Sequence, residues 1–137
     1  MAKDKYHDTV RSALENDGWT ITHDPLVIPL EDGAFKVDLG AEKLIAAERL
    51  EQKIAVEVKS LLRISQSTDL HLAIGQCINY KEALIEADMD RTVCLAIPLR
   101  GYIRMKKTPF YLRTLLKYGI QLIVVDTKSE TITEWIK

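Results

Sequence analysis

The sequence has little of what would place it outside ordinary one-domain proteins. No apolar run in its 137 residues approaches the roughly 20 that cross a bilayer. Met1-Ala2-Lys3-Asp4 lacks the hydrophobic core of a secretory signal. Both absences predict a cytoplasmic protein with no membrane partner. Only two cysteines occur, Cys77 in a helical stretch and Cys94 in a strand-like one, without the paired spacing of a zinc site, so they read as small apolar core groups. Repeats, low-complexity tracts and linkers are missing too, and the length suits a single domain over residues 1–137. Net charge is nearly absent, at −1, which excludes a blanket of positive charge. A hydrophobic share of 47% argues against disorder.

One local absence points the other way. Between Leu99 and Val125 there is no Asp or Glu, while Arg100, Arg104, Lys106, Lys107, Arg113 and Lys117 all fall in that span. Such a stretch forms a phosphate-binding surface, or else a solvated face opposed by acids elsewhere in the fold. Charge alone leaves the two open.

What is present follows helical and strand periods in turn. Tyr6, Val10, Ala13 and Leu14 predict a first helix over Lys3 to Asp17, stopped by Asn16-Asp17-Gly18. Trp19 to Thr22 reads as a strand broken at His23-Asp24-Pro25, and Pro29 demotes Leu26 to Leu30 to an edge or irregular piece. Phe35 to Leu39 is the next strand. Ala41 to Gln52 has helical composition, but pairing Lys43–Glu48 with Lys53–Lys59 as a hairpin places the second of these strands centrally, and that reading is preferred. After a polar loop from Arg63 to Thr68, a long helix runs from Asp69 to Ala87. Arg91–Ile97 and Ile120–Val125 are apolar strands, Pro109–Tyr118 is a helix, and Thr131–Ile136 is a final short strand. The fold class is α/β, a sandwich with a mixed central sheet flanked by helices.

Inside this apolar pattern stand two acids and a lysine: Asp38 in Phe35-Lys36-Val37-Asp38, and Glu57 and Lys59 in Ile54-Ala55-Val56-Glu57-Val58-Lys59. Strand alternation sends Glu57 and Lys59 to one face. A buried carboxylate needs a partner, so an ion pair between Glu57 and Lys59 is the plain reading. The other is a site in which Asp38, Glu57 and the backbone carbonyl of Val58 are hard oxygen ligands for Mg²⁺ or Mn²⁺, with Lys59 stabilising charge on a phosphate. No Ser-His-Asp arrangement is apparent, which favours phosphodiester hydrolysis over acyl transfer.

Asp, a spacer and Glu-x-Lys resemble the signature of the PD-(D/E)XK nuclease superfamily. Gln76-Cys77-Ile78-Asn79-Tyr80 matches the Gln-xxx-Tyr motif of its RecB-like and Holliday-junction-resolvase-like branch, and the order of helix, acid-bearing strands, helix, strand resembles its core. The resemblance implies a restriction-endonuclease-like sandwich with Gln76 and Tyr80 at the site. Many members carry an acid on the first helix; here His7 holds that position, with Asp8 beside it and Glu15 on the same face, and Val37 replaces the usual proline.

A closer resemblance is carried by His7-Asp8, the run from Asp17 to Pro25, Asp38 to Lys43, Lys53 to Ser60, Gly75-Gln76, Asn79-Tyr80 and Thr133 to Ile136. These are similar to XisH, the cyanobacterial fdxN-element excision controlling factor family. The resemblance implies a role in programmed excision of DNA, alongside a site-specific recombinase and a companion factor, XisI. Two functions are then expected. One is a metal-dependent DNA endonuclease with Asp38, Glu57, Lys59, Gln76, Tyr80 and His7 at its centre, contacting DNA through the basic stretch and its Tyr102, Phe110, Tyr111 and Tyr118. The other is a non-catalytic regulator that keeps the fold to bind DNA or a partner. A homodimer is the base expectation.

Overall fold

The computed structural model describes residues 3–45, 50–62 and 66–137. Its elements are α1 (His7–Asn16), β1 (Thr20–His23), β2 (Leu26–Leu30), β3 (Gly33–Val37), β4 (Leu39–Ile45), β5 (Leu50–Val58), α2 (Gln66–Glu86), β6 (Thr92–Pro98), α3 (Leu99–Met105), α4 (Phe110–Lys117), β7 (Gln121–Asp126) and β8 (Thr131–Ile136). Six strands form one mixed sheet in the order β1-β4-β5-β6-β7-β8, with β5, β6 and β7 parallel. The remaining two, β2 and β3, pair as a separate antiparallel ribbon, where Pro29 sits opposite Ala34.

Alternation along the central strands divides the core. Ala55, Leu95, Ile97, Leu122 and Val124 face α2 and the ribbon, while Val56, Val58, Cys94, Ala96, Ile123 and Val125 face α1 with Trp19 and Trp135. Both cysteines are free and buried. Because β6 and β7 are covered on both sides, they read as continuous apolar runs. The preferred hairpin is present as β4 against β5, with Leu39 opposite Val56 and Glu42 opposite Lys53. Residues 46–49 of that expected pairing, and 63–65 of the expected polar loop, lie outside the described residues.

Several boundaries differ from expectation. The long helix starts at Gln66 rather than Asp69, so residues 66–68 of the expected loop are helical. The first helix starts at His7 rather than Lys3, since Asp4 is used differently: its carboxylate accepts the N–H groups of Tyr6 and Ser60, at 2.9 Å each. The strand expected to run through Leu39 ends at Val37, and Asp38 occupies a bend before β4. Residues 99–105, read only as a basic stretch, form α3 directly after β6. No described helix is long and apolar enough to cross a membrane.

Candidate functional site

The carboxyl end of β5 is fixed from both sides. On one, the β4–β5 register brings Asp38, one step before Leu39, opposite Glu57, and the Val58 N–H donates to Asp38 Oδ2 at 2.8 Å. On the other, Lys59 N donates to the Ala96 carbonyl of β6 at 3.0 Å. Glu57 is 5% exposed on the face turned toward α2. Its carboxyl is in hydrogen-bonding reach of Asp38, and its Oε2 lies 3.6 Å from Lys59 Nζ. Burial, then the neighbouring Asp38 charge, raises the Glu57 pKa to about 8, against the opposing pull of Lys59. At neutral pH this acid holds a proton in the folded chain.

The residues of α2 complete this surface. Tyr80 is buried, its ring edge-on to Phe35 with centroids 5.7 Å apart, and its hydroxyl pKa is pushed upward by burial and then by Glu57 and Asp38. Cys77 is pushed upward chiefly by burial, with Glu57 as the next contributor. Gln76 lines the same cavity as Tyr80, Asp38 and His7, a space of about 780 Å³ bounded by α2, the β2–β3 ribbon and the start of α1. Asp38 forms part of its wall, whereas the buried Glu57 is not among its lining residues.

His7 is 3% exposed, and its Nε2 is 2.7 Å from Asp24 Oδ1. A carboxylate there can only accept, so Nε2 carries the proton and Nδ1 is left as an acceptor or, in the imidazolium, a second donor. Arg11 Nη1 lies 2.6 Å from the other oxygen of Asp24. Burial pulls the Asp24 pKa up, but the hydrogen bonds from Arg11 and His7 outweigh it and hold the carboxyl below its usual range. Neither Asp24 nor Asp4 was picked out from sequence. Asp4 has the signal of an acid three residues ahead of a helix; Asp24 has none beyond a turn-forming Asp-Pro.

Among the described residues, the buried side-chain polar atoms without a hydrogen-bond partner are His7 Nδ1, Glu57 Oε1 and Gln76 Oε1. Leaving such atoms unmade costs about 1–3 kcal/mol each. All three belong to residues nominated from the sequence pattern. No group of three or more His, Cys, Asp or Glu among the described residues forms a metal cage, so the carboxylate pair is the acidic part of the site.

The α3 part of the basic stretch lies at the same end of the sheet, while α4 leads back toward the start of β7. Gly101 of α3 packs against Ser60 and Leu61, which follow Lys59 in the chain. Arg100, Lys106, Lys107, Arg113 and Lys117 are exposed. Arg104 is half-buried and donates to the Leu61 carbonyl at 3.3 Å. Of the aromatics expected to meet DNA, Phe110 and Tyr118 are exposed and Tyr111 is half-buried. Tyr102 is 6% exposed and belongs to the core, because it is on the inner face of the helix that the sequence reading missed. At the opposite end a smaller cavity of about 370 Å³ is bordered by Trp19 and Trp135, stacked at 5.3 Å. Two pairs of its polar groups meet within the protein, Lys43 with Asp17 and Trp135 Nε1 with Gln121.

Comparison with known proteins sets the lineage. No curated protein matches. A crystal structure of an XisH family protein from Nostoc punctiforme is 38% identical, covers 98% of this chain and 100% of its own, and superposes with a TM-score of 0.83. A crystal structure of an fdxN element excision controlling factor protein from Anabaena variabilis is likewise 38% identical, over 96% of this chain and 98% of its own, with a TM-score of 0.83. The family model described as XisH protein matches residues 1–133, and this chain therefore belongs to the XisH family.

Proposed function

We propose that the chain is an excision controlling factor whose endonuclease-like fold hydrolyses DNA phosphodiesters. The observation that supports this most is the three buried, unpartnered polar atoms on His7, Glu57 and Gln76, beside a second carboxylate at Asp38. A buried acid pair with a spare oxygen suits a hard divalent cation, Mg²⁺ or Mn²⁺, with Asp38, Glu57 and the Val58 carbonyl as the groups that would hold it. When bound there, such an ion neutralises phosphate charge and makes water a better nucleophile.

The chain's own residues supply the rest. The Lys59 ammonium, 3.6 Å from Glu57, stabilises the negative charge that grows on the phosphate oxygens. Gln76 and Tyr80, one helical turn apart, hydrogen-bond and orient the phosphate. Water oxygen bonds to phosphorus as the phosphorus–oxygen bond to the leaving sugar breaks. The water proton passes to a base, for which His7 Nδ1 is available, and the leaving oxygen takes up a proton. Arg100, Lys106, Lys107, Arg113, Lys117 and the partly engaged Arg104 hold flanking phosphates. DNA, the companion factor XisI, a site-specific recombinase and a second copy of the chain are the partners this reading carries over from the family.

A second reading, a non-catalytic regulator, is favoured by one observation: Glu57 Oε2 already has the Lys59 ammonium 3.6 Å away, a partner within the chain itself. Plasmid and branched DNA incubated with Mn²⁺ separate the two. Nicking by the parent that Glu57→Ala and Lys59→Ala both abolish supports hydrolysis; cleavage unchanged in both variants refutes it. Variants that still bind DNA and permit excision establish the regulator.

A further inference from the structure

We propose that Asp24 and Arg11 are positioning residues that lock His7 in one tautomer, with Nε2 protonated and Nδ1 kept as an acceptor for the ligand of the cavity. The inference rests on the hydrolytic reading for what His7 accepts, the proton of the attacking water.

Local structure sets the lock up. His7 and Arg11 are four residues apart on α1, so their side chains share a face. β1 pairs with β4 so that His23 is opposite Gly40, two residues past Asp38, and Asp24 therefore leaves the sheet at the Asp38 end. The two helix residues take the two oxygens of this one carboxylate: His7 Nε2 is 2.7 Å from Oδ1, and Arg11 Nη1 is 2.6 Å from Oδ2. Against the pull of burial, the hydrogen bonds from Arg11 and then His7 hold the Asp24 carboxyl below its usual range, so both oxygens accept. His7, 3% exposed, borders the cavity together with Asp24, Asp38, Gln76 and Tyr80, and its Nδ1 has no partner among the described residues. The Arg11–Asp24 pair would be complete without a histidine, and a histidine buried only for packing gains nothing from a ring nitrogen left unmade.

In the reaction the water proton moves to Nδ1 as the water oxygen bonds to phosphorus and the phosphorus–oxygen bond to the leaving sugar breaks. The leaving oxygen takes a proton from solvent. The ring is then an imidazolium whose Nε2–H stays with the Asp24 carboxylate, which stabilises its charge.

Arg11 decides what Asp24→Asn does. A guanidinium only donates, so it claims the single amide oxygen and turns the amide NH₂ toward His7. Nε2 must then accept, and the ring hydrogen moves to Nδ1. Adding Arg11→Met frees the amide to turn its oxygen back to His7.

Two-bond ¹H–¹⁵N correlation spectra of the full chain, with the His7 signals assigned by their loss in His7→Gln, read the tautomer of the neutral ring. Mn²⁺-dependent plasmid nicking at saturating protein reads the rate. The parent is expected to carry its hydrogen on Nε2, a result that needs no variant. Asp24→Asn is expected to move that hydrogen to Nδ1 and to slow the maximal rate about 10²-fold, with the half-saturating protein concentration unchanged. The double variant is expected to regain the Nε2 hydrogen and at least about tenfold of the rate. A merely structural role predicts the reverse, since the second substitution removes further contacts. A parent ring protonated at Nδ1, or a double variant no faster than Asp24→Asn, overturns the inference and leaves the hydrolytic reading standing. The expected ring states in a parent that nicks no DNA uphold the lock and overturn the hydrolytic reading.

Discussion

Replacing Glu57 by Gln is expected to stabilise the protein, and increasingly so as pH rises. In the unfolded chain this carboxyl ionises near 4.5; in the fold, burial and then Asp38 raise its pKa to about 8. Between those values the folded state holds a proton that the unfolded state has lost, so stability falls as pH increases through that window. At 1.36 kcal/mol per tenfold change in proton affinity, the cost is about 1 kcal/mol at pH 5 and about 5 kcal/mol at pH 9. Gln has nearly the same shape and no charge to bury, so the variant escapes this cost. Urea titrations followed by the fluorescence of Trp19 and Trp135 measure it. With a slope of about 2 kcal/mol per molar urea, the gap between variant and parent should widen by about 2 M from pH 5 to pH 9. Mn²⁺ at pH 8 should raise the parent's midpoint and leave the variant's unmoved, since a ligand stabilises only the state that binds it. Parallel pH profiles for the two proteins would refute the burial argument. A parent indifferent to Mn²⁺ at a pH where Glu57 is ionised would remove the cation from the proposed chemistry.

Asp24→Ala is expected to cost about 2–3 kcal/mol in urea unfolding at pH 7, because it strips His7 Nε2 of its acceptor and Arg11 of its counter-charge. Since the Asp24 pKa is lowered, its contribution is present above the unfolded value of 3.8 and is lost as pH falls through the folded one, so the deficit should shrink below pH 4. Gly101→Ala would place a Cβ 3.2 Å from Leu61 Cβ and 3.3 Å from the Ser60 carbonyl, forcing α3 away from the end of β5 at a cost of about 1–3 kcal/mol in thermal or urea unfolding. Gly75→Ala, in the exposed middle of α2 with open space around it, should instead gain about 0.5–1 kcal/mol.

How far the sequence alone reached follows from the range of each interaction. The long helix, the two apolar strands, the edge character of Pro29 and the shared face of Glu57 and Lys59 are consequences of periods two and 3.6, which neighbouring residues set for themselves. The exposed cations of the basic stretch and the placing of Gln76 and Tyr80 on one cavity wall were also legible, the second because four residues make one helical turn. What failed was local but weakly signalled: α3 is only seven residues long, contains Gly101 and has no acid in its first turn, so nothing marked it as a helix or Tyr102 as core.

The meeting of Asp38 with Glu57 depends on an antiparallel register between strands, and Asp38 reaches it from a bend that alternation does not describe. His7 enters the same cavity because Asp4 fastens the start of α1 to Ser60, a contact spanning 56 residues of chain, and its ring is oriented by Asp24, 17 residues away. Sequence periodicity fixes which residues face inward; only closure of the sheet, against the entropy of bringing distant segments together, decides which of those residues touch.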